Sequence, residues 1–172
     1  SFSSEIYDVK ELQEQVANFA SSMAEKLRKQ RSVSGEMVVF AYTNRFKETQ
    51  PQTYLNALVS FTTPTADQRT IISKAVGATK LMFKNGYGYK KAGVIASKII
   101  PEGEVMHSLF EDTAATEREH KITSTLDAIN STFGKGTIKL AVQGRGKIKT
   151  ASDNQSPHYT TKWSDIPKVT VK

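Results

Sequence analysis

The chain has 172 residues, enough for one ordinary domain with extensions or for two small ones. It contains no cysteine, which excludes disulfides, thiolate metal sites and cysteine nucleophiles, and its three histidines are scattered without a metal-ligand spacing. No apolar run reaches the length of a membrane span and no secretory signal pattern opens the chain, so we expect a soluble cytoplasmic protein.

The formal net charge of +7 is unevenly distributed along the chain. Residues 1–100 contain 14 Lys and Arg against 8 Asp and Glu, residues 101–127 contain 2 against 7, and residues 128–172 contain 8 against 2. Two basic parts are thus joined by an acidic connector. Basic surfaces suit a polyanion such as nucleic acid, but the same charge also serves plain solubility, and composition alone does not decide between them.

The opening "SFSSEIY" alternates, which indicates an edge strand. A helix is predicted next, because apolar residues recur at steps of three and four and Asp8 with Glu11 forms a capping-box pattern. Its apolar stripe consists of Val9, Leu12, Val16, Phe19, Met23 and Leu27. Two β-rich runs follow, at 36–43 and 54–61, and Pro64 is expected to close the second.

A second helix is predicted from the capping-box pattern of Thr65 and Gln68, and it ends near "KNGYG", where Gly86 can adopt the left-handed conformation. "YKKAGVIASKII" (89–100) indicates a fourth strand. The order βαββαβ predicts an α+β fold in which two helices cover one face of an antiparallel sheet and the second face stays available.

The end of the chain predicts a small α/β module. "EREHKITSTLDAINSTF" has helical spacing with Gly134 as its stop, and "TIKLAV" alternates as a strand. "FGKGT" lacks the spacing of a phosphate loop, no carboxylate pair suits a metal or acid–base site, and there is no nucleophile elbow. These patterns predict a non-catalytic chain without a cofactor.

A nucleic-acid contact is the better candidate. Lys90 and Lys91 stand beside Tyr87 and Tyr89, and cations on a sheet face suit a phosphate backbone while aromatics pack on sugars or bases. A solvated sheet edge is the alternative.

Six runs, in order, resemble the C-terminal part of UmuC-type proteins, the Y-family translesion subunits of DNA polymerase V. They are "RSVSGEMVVFAYTNRF", "VSFTTPTADQRTIISKAV", "KNGYGYKKAGVIASKIIPEG", "SLFED", "LDAINSTFGKGTIKLAVQG" and "SPHYTTKWSDIP". The resemblance implies a little-finger DNA-binding domain at 1–100, an acidic linker at 101–115 and a C-terminal module at 116–172. It also implies that the palm, with its Mg²⁺-binding carboxylates, lies upstream of Ser1, so this part would not be catalytic.

The resemblance further implies contacts to the phosphates of primer-template DNA, without sequence preference. The implied residues are Lys90, Lys91, Ser97 and Lys98 on the last strand, Tyr89 beside the lysines, and Arg45 and Lys47 after the second strand. Such a chain would serve error-prone translesion synthesis in SOS mutagenesis and DNA repair, and would be associated with the nucleoid.

UmuC-type proteins carry a sliding-clamp motif, roughly Gln-Leu-x-Leu-Phe, after the little finger. The aligned residues are Met106, His107, Ser108, Leu109 and Phe110. The two distal apolar anchors match, whereas Met106 replaces the Gln and cannot donate its hydrogen bonds. Leu109 and Phe110 could instead fold back onto the protein's own surface. The resemblance implies three protein partners: the sliding clamp, a UmuD-type subunit and the RecA filament.

Two alternatives from other classes remain open. A stand-alone RNA-binding module of RRM-like topology shares the βαββαβ order, although the K/R-G-F/Y pattern of such modules is absent. A small enzyme would need a convergent set of acid, base or metal-binding groups. The sequence leaves open the lesions bypassed, the oligomeric state and whether the C-terminal module packs on the little finger.

Overall fold

The computed structural model describes residues 1–105, 113–144 and 163–166. Its main elements in chain order are α1 (Val9–Lys29), β1 (Ser32–Thr43), β2 (Tyr54–Thr65), α2 (Gln68–Met82), β3 (Tyr89–Pro101) and α3 (Thr113–Phe133). Short 3-10 turns occupy Glu102–Glu104, Ala141–Gln143 and Trp163–Asp165. The strands form one antiparallel sheet in the order β2-β1-β3. The predicted α+β class is confirmed.

The core lies between the sheet and the first two helices. Leu12 and Val16 of α1 are fully buried, and so are Met37 and Val39 of the central strand β1, because alternate residues of a strand face the same side. Ile71 of α2 completes this layer. The remaining face of the sheet, here called the open face, is left uncovered by α1 and α2.

Two helix starts show how well the capping patterns predicted local structure. The Asp8 carboxylate accepts a hydrogen bond from the backbone N–H of Glu11 at 3.3 Å, as expected. At α2 the cap is Asp67, whose carboxylate accepts from the N–H of Thr70 at 2.7 Å. The predicted cap Thr65 instead belongs to β2, and its hydroxyl accepts from the N–H of Asp67.

The opening segment forms isolated bridges to the edge of β3 and not a full strand. Ile6 and Tyr89 exchange two backbone hydrogen bonds of 2.9 Å, and the N–H of Phe2 donates to the carbonyl of Lys90. The chain bends between these two points, at Ser3 and Ser4. Phe2 and Ile6 are both buried, so two apolar side chains fix the segment where a continuous ladder was predicted.

The strand predicted at 137–142 is wrong. After α3 ends at Phe133, the chain turns through Gly134 and Gly136, which have positive φ angles of 106° and 82°. The Asn130 side chain then makes two hydrogen bonds to the backbone of Ile138, at 2.9 and 3.1 Å. The Asn130 side chain thus takes the hydrogen bonds that a neighbouring strand would make. Among the described residues of the C-terminal module there are helices and turns but no strand.

Candidate nucleic-acid interface

The open face carries four rows of side chains, one residue from each strand in each row. In the order β2, β1, β3, the first row is Tyr54, Tyr42 and Lys91, and the second is Asn56, Phe40 and Gly93. The third row is Leu58, Val38 and Ile95, and the fourth is Ser60, Glu36 and Ser97. Leu58 and Ile95 remain 63% and 54% exposed. The open face is therefore aromatic and basic at one end, apolar in its centre and polar at the other end.

A cluster of two tyrosines and two cations, here called the cation–aromatic cluster, forms the first end. The rings of Tyr42 and Tyr54 stack with their centroids 5.8 Å apart. The Arg45 guanidinium lies 5.0 Å from the centroid of the Tyr42 ring, and the Lys91 ammonium lies 5.7 Å from it. These contacts orient both cations on the open face and leave their N–H donors available to an anion.

Lys90 and Lys91 do not act as a pair. Thr43 is paired with Tyr89 while Tyr42 is paired with Lys91, so Lys90 is the extra residue of a β-bulge. Its ammonium donates to the backbone carbonyl of Ser3 at 3.0 Å. Lys91 therefore belongs to the open face, and Lys90 lies against the opening segment.

Tyr89 was predicted to contact DNA, but it is a core residue. Its ring is fully buried, and its hydroxyl accepts from the N–H of Lys84 and donates to the carbonyl of Lys84. Burial raises the pKa of this hydroxyl. Because no part of the ring is exposed, Tyr89 is omitted from the interface.

Ser97 and Lys98 lie at the polar end of the open face. The Lys98 ammonium is paired with the Glu36 carboxylate at 2.7 Å, and the Ser97 hydroxyl donates to the carbonyl of Glu36 at 3.4 Å. The Lys98 side chain is 70% exposed, but the carboxylate beside it offsets its charge. This end attracts an anion less strongly than the cation–aromatic cluster does.

Lys47 was also predicted to contact DNA, and it has a partner within the protein. Its ammonium lies 2.8 Å from the Glu5 carboxylate. The hydrogen bond from Lys47, followed by one from Tyr7, lowers the pKa of Glu5, and the same contact raises the pKa of Lys47. Lys47 thus ties the β1–β2 loop to the opening segment.

The sequence prediction did not include Tyr42, Tyr54 and Phe40, which the structure places on the candidate interface. For Tyr54 a signal was present, because it shares one side of an alternating strand with Asn56 and Ser60, where a large aromatic ring is unusual. Both sides of β1 are largely apolar in sequence, so Phe40 and Tyr42 gave no such signal. Gly93 belongs to the same region. A Cβ atom at Gly93 would lie 2.7 Å from the ring of Phe40, so this glycine makes room for an aromatic ring of the protein itself.

Comparison with known protein families assigns most of the chain to two families. Residues 1–109 match the family described as "impB/mucB/samB family C-terminal domain". The chain belongs to this family. Residues 120–169 match a second family, described as "Domain of unknown function (DUF4113)". The resemblance to UmuC-type proteins that the sequence motifs indicated is thereby confirmed.

Individual relatives agree with this assignment. Protein UmuC of Salmonella typhimurium (strain LT2) is 33% identical over 98% of this chain, and Protein ImpB of Salmonella typhimurium is 34% identical over 97%. DNA polymerase IV of Desulfatibacillum aliphaticivorans is 26% identical over 82%. The alignments cover 40%, 39% and 34% of these relatives, so the chain spans less than half of their length.

Three further observations concern the predicted clamp-binding residues, metal binding and membrane spans. The predicted clamp-binding residues, Met106 to Phe110, lie outside the described residues. In the described part of the chain, no group of three or more His, Asp or Glu side chains is placed to hold a metal ion. None of the helices described is both long and apolar enough to cross a membrane.

Proposed function

We propose that this part of the chain holds primer-template DNA for an error-prone translesion polymerase acting in SOS mutagenesis and DNA repair. The observation that carries the proposal is the cation–aromatic cluster on the uncovered face of the sheet. Family membership supports it and favours it over the RNA-binding alternative. The metal-dependent chemistry would belong to the palm of the parent protein.

The proposed contact is to the DNA backbone. Arg45 and Lys91 would each neutralise phosphate charge, with release of counterions, which gives affinity without sequence preference. The apolar row of Leu58, Val38 and Ile95 has no hydrogen-bonding groups on its side chains, so it cannot read base edges by donor and acceptor pattern. A polymerase that accepts damaged templates needs this tolerance.

Charge reversal of the cluster tests the proposal. We expect Arg45→Glu/Lys91→Glu to weaken binding to a fluorescent primer-template duplex by at least about tenfold at low salt, because two phosphate contacts are lost and two repulsions are added. The slope of log K against log salt should fall by about two. Fluorescence anisotropy over a salt series measures both quantities.

The matched control is Lys10→Glu/Lys26→Glu, which makes the same charge change on exposed positions of α1. Its effect should be small, because these residues lie on the opposite side of the sheet. Equal losses in the two variants would show that only net charge matters, and would contradict a contact at the open face. Tighter binding to single-stranded RNA than to the duplex would favour the RNA-binding alternative.

We also propose that the linker docks the sliding clamp, and that the parent protein meets a UmuD-type subunit and the RecA filament. The matching anchors Leu109 and Phe110 support the clamp contact. We expect Leu109→Ala/Phe110→Ala to weaken binding of the full chain to an immobilised clamp by about tenfold or more, since apolar anchors dominate such interfaces. Val105→Ala is the control, and unchanged binding in the double variant would refute the assignment.

A further inference from the structure

The outer edge of β2 begins at Tyr54 of the cation–aromatic cluster and has a groove beside it further along the strand. Within the described residues, the only strand that pairs with β2 is β1. An edge strand presents N–H and C=O groups with which another strand can pair, and proteins usually protect such edges with charges, prolines or bulges. β2 carries no charged residue, and its only proline, Pro64, is near one end. Its first seven residues, 54–60, are therefore an open template.

An apolar groove of about 490 Å³ lies between β2 and α2. Its apolar lining consists of Ala57, Leu58, Val59, Gly77, Ala78, Leu81 and Met82. Leu81 is 89% exposed at the rim of this groove. The side chain of Leu58 belongs to the open face, so the β2 side chains on the groove side are Ala57 and Val59. An exposed leucine beside an unprotected strand edge forms an apolar surface that a partner would cover.

Gly77 gives a second and independent indication that the groove has space for a partner. It lies inside α2, where glycine weakens a helix, yet a Cβ atom placed on it would meet no atom within 4 Å. Packing within the protein therefore does not require a glycine here. A bare position on the groove wall leaves space for side chains that come from outside.

The charges around the groove indicate the chemistry of the occupant. α2 contains Arg69, Lys74 and Lys80 and no acidic residue, and Lys74 itself lines the groove. Two copies of this surface would bring like charges together, which disfavours self-pairing through β2. An occupant with acidic flanks would be attracted.

We propose that the β2 edge and this groove bind an extended peptide of a partner protein, with alternating apolar side chains and acidic flanks. The peptide would add to the sheet as a fourth strand by pairing with residues 54–60, and its alternate side chains would enter the groove. Lys74 and Lys80 would pair with the acidic flanks.

A synthetic probe tests each part of this proposal on the full chain. The probe is a fluorescein-labelled peptide, Asp-Asp-Val-Thr-Val-Thr-Val-Asp-Asp. The controls are the same peptide with every central amide N-methylated, and a version with lysine in place of each aspartate. We expect the probe to bind with a Kd of about 100 μM and both controls to bind at least about tenfold more weakly, because they lose strand pairing or charge attraction. Equal binding of the probe and either control would overturn the proposal.

Variants then locate the contact. Leu81→Asp, at an 89% exposed position, should weaken binding by about tenfold without affecting folding, and Lys74→Glu/Lys80→Glu should reverse the preference toward the lysine-flanked peptide. Amide hydrogen exchange in β2 should slow when the probe is added, and unchanged exchange would overturn strand addition. If Lys74→Glu/Lys80→Glu lost as much DNA affinity as Arg45→Glu/Lys91→Glu, the surface would belong to DNA instead. If the parent formed a dimer that Leu81→Asp dissociated, the surface would bind a second copy instead.

Discussion

Individual side chains on this fold often have a partner within the protein where the sequence predicted a ligand contact. Lys47 is paired with Glu5, Lys98 with Glu36, and Lys90 with the carbonyl of Ser3. Arg45 and Lys91 instead lie over the ring of Tyr42, which orients them and satisfies none of their N–H donors. At the scale of the residue, this difference separates cations that hold the fold together from the two cations that we propose contact DNA.

The Glu5–Lys47 pair gives a prediction about pH. The pKa of Glu5 is lowered in the folded protein, chiefly by the hydrogen bond from Lys47. The stabilisation is therefore fully present above the pKa that this carboxyl has in the unfolded chain, and it is lost as the pH falls through the lower folded value. We expect Glu5→Gln to be less stable than the parent to urea at pH 7 and the difference to shrink toward pH 3.

The control for this comparison is Glu48→Gln, which removes the charge of an exposed carboxylate in the β1–β2 loop. Its stability difference from the parent should vary little over the same pH range. A difference for Glu5→Gln that is as large at pH 3 as at pH 7 would show that the charge of Glu5 does not stabilise the fold.

Whole elements were predicted well where a periodic pattern coincided with a buried face. The stripe of α1 and the β-rich run of β1 each correspond to a core surface, and α3 stops at Gly134 as expected. The strand at 137–142 failed because alternation does not supply a neighbouring strand, and Asn130 binds the backbone there. The geometry of the candidate interface was predicted only in part, since the β-bulge that separates Lys90 from Lys91 depends on pairing between distant strands.

At the scale of the whole molecule, α3 is attached to the first domain mainly by polar contacts. Arg28 makes two hydrogen bonds to the Asp127 carboxylate, of 2.6 and 2.7 Å, and a third to the carbonyl of Ala66. The Thr123 hydroxyl donates to Asp67, the cap of α2. Together these elements line a cavity of about 790 Å³. Two apolar residues at helical spacing on α3, Ile122 and Phe133, remain 37% and 73% exposed, while the polar Thr123 and Asp127 make the contacts.

This attachment predicts that α3 can separate without unfolding of the core. Arg28→Ala removes the charged hydrogen bonds that hold α3, and such bonds contribute about 1.5–3 kcal/mol each. We expect amide exchange in residues 121–133 to accelerate by roughly tenfold to a hundredfold, while exchange in β1 stays as in the parent. Hydrogen exchange followed by mass spectrometry resolves the two regions.

Lys29→Ala is the matched control, since it removes a neighbouring cation of α1 whose partner is Glu25 on the same helix. It should leave exchange in α3 unchanged. If Arg28→Ala accelerated amide exchange in β1 and α3 alike, the two parts would unfold as one unit. If exchange accelerated in neither, the Thr123 hydrogen bond and the contacts between Asn18 and Gln143 would suffice to hold the helix. The core between α1, α2 and the sheet is apolar and does not depend on the bonds to Asp127, so we expect α3 to open alone.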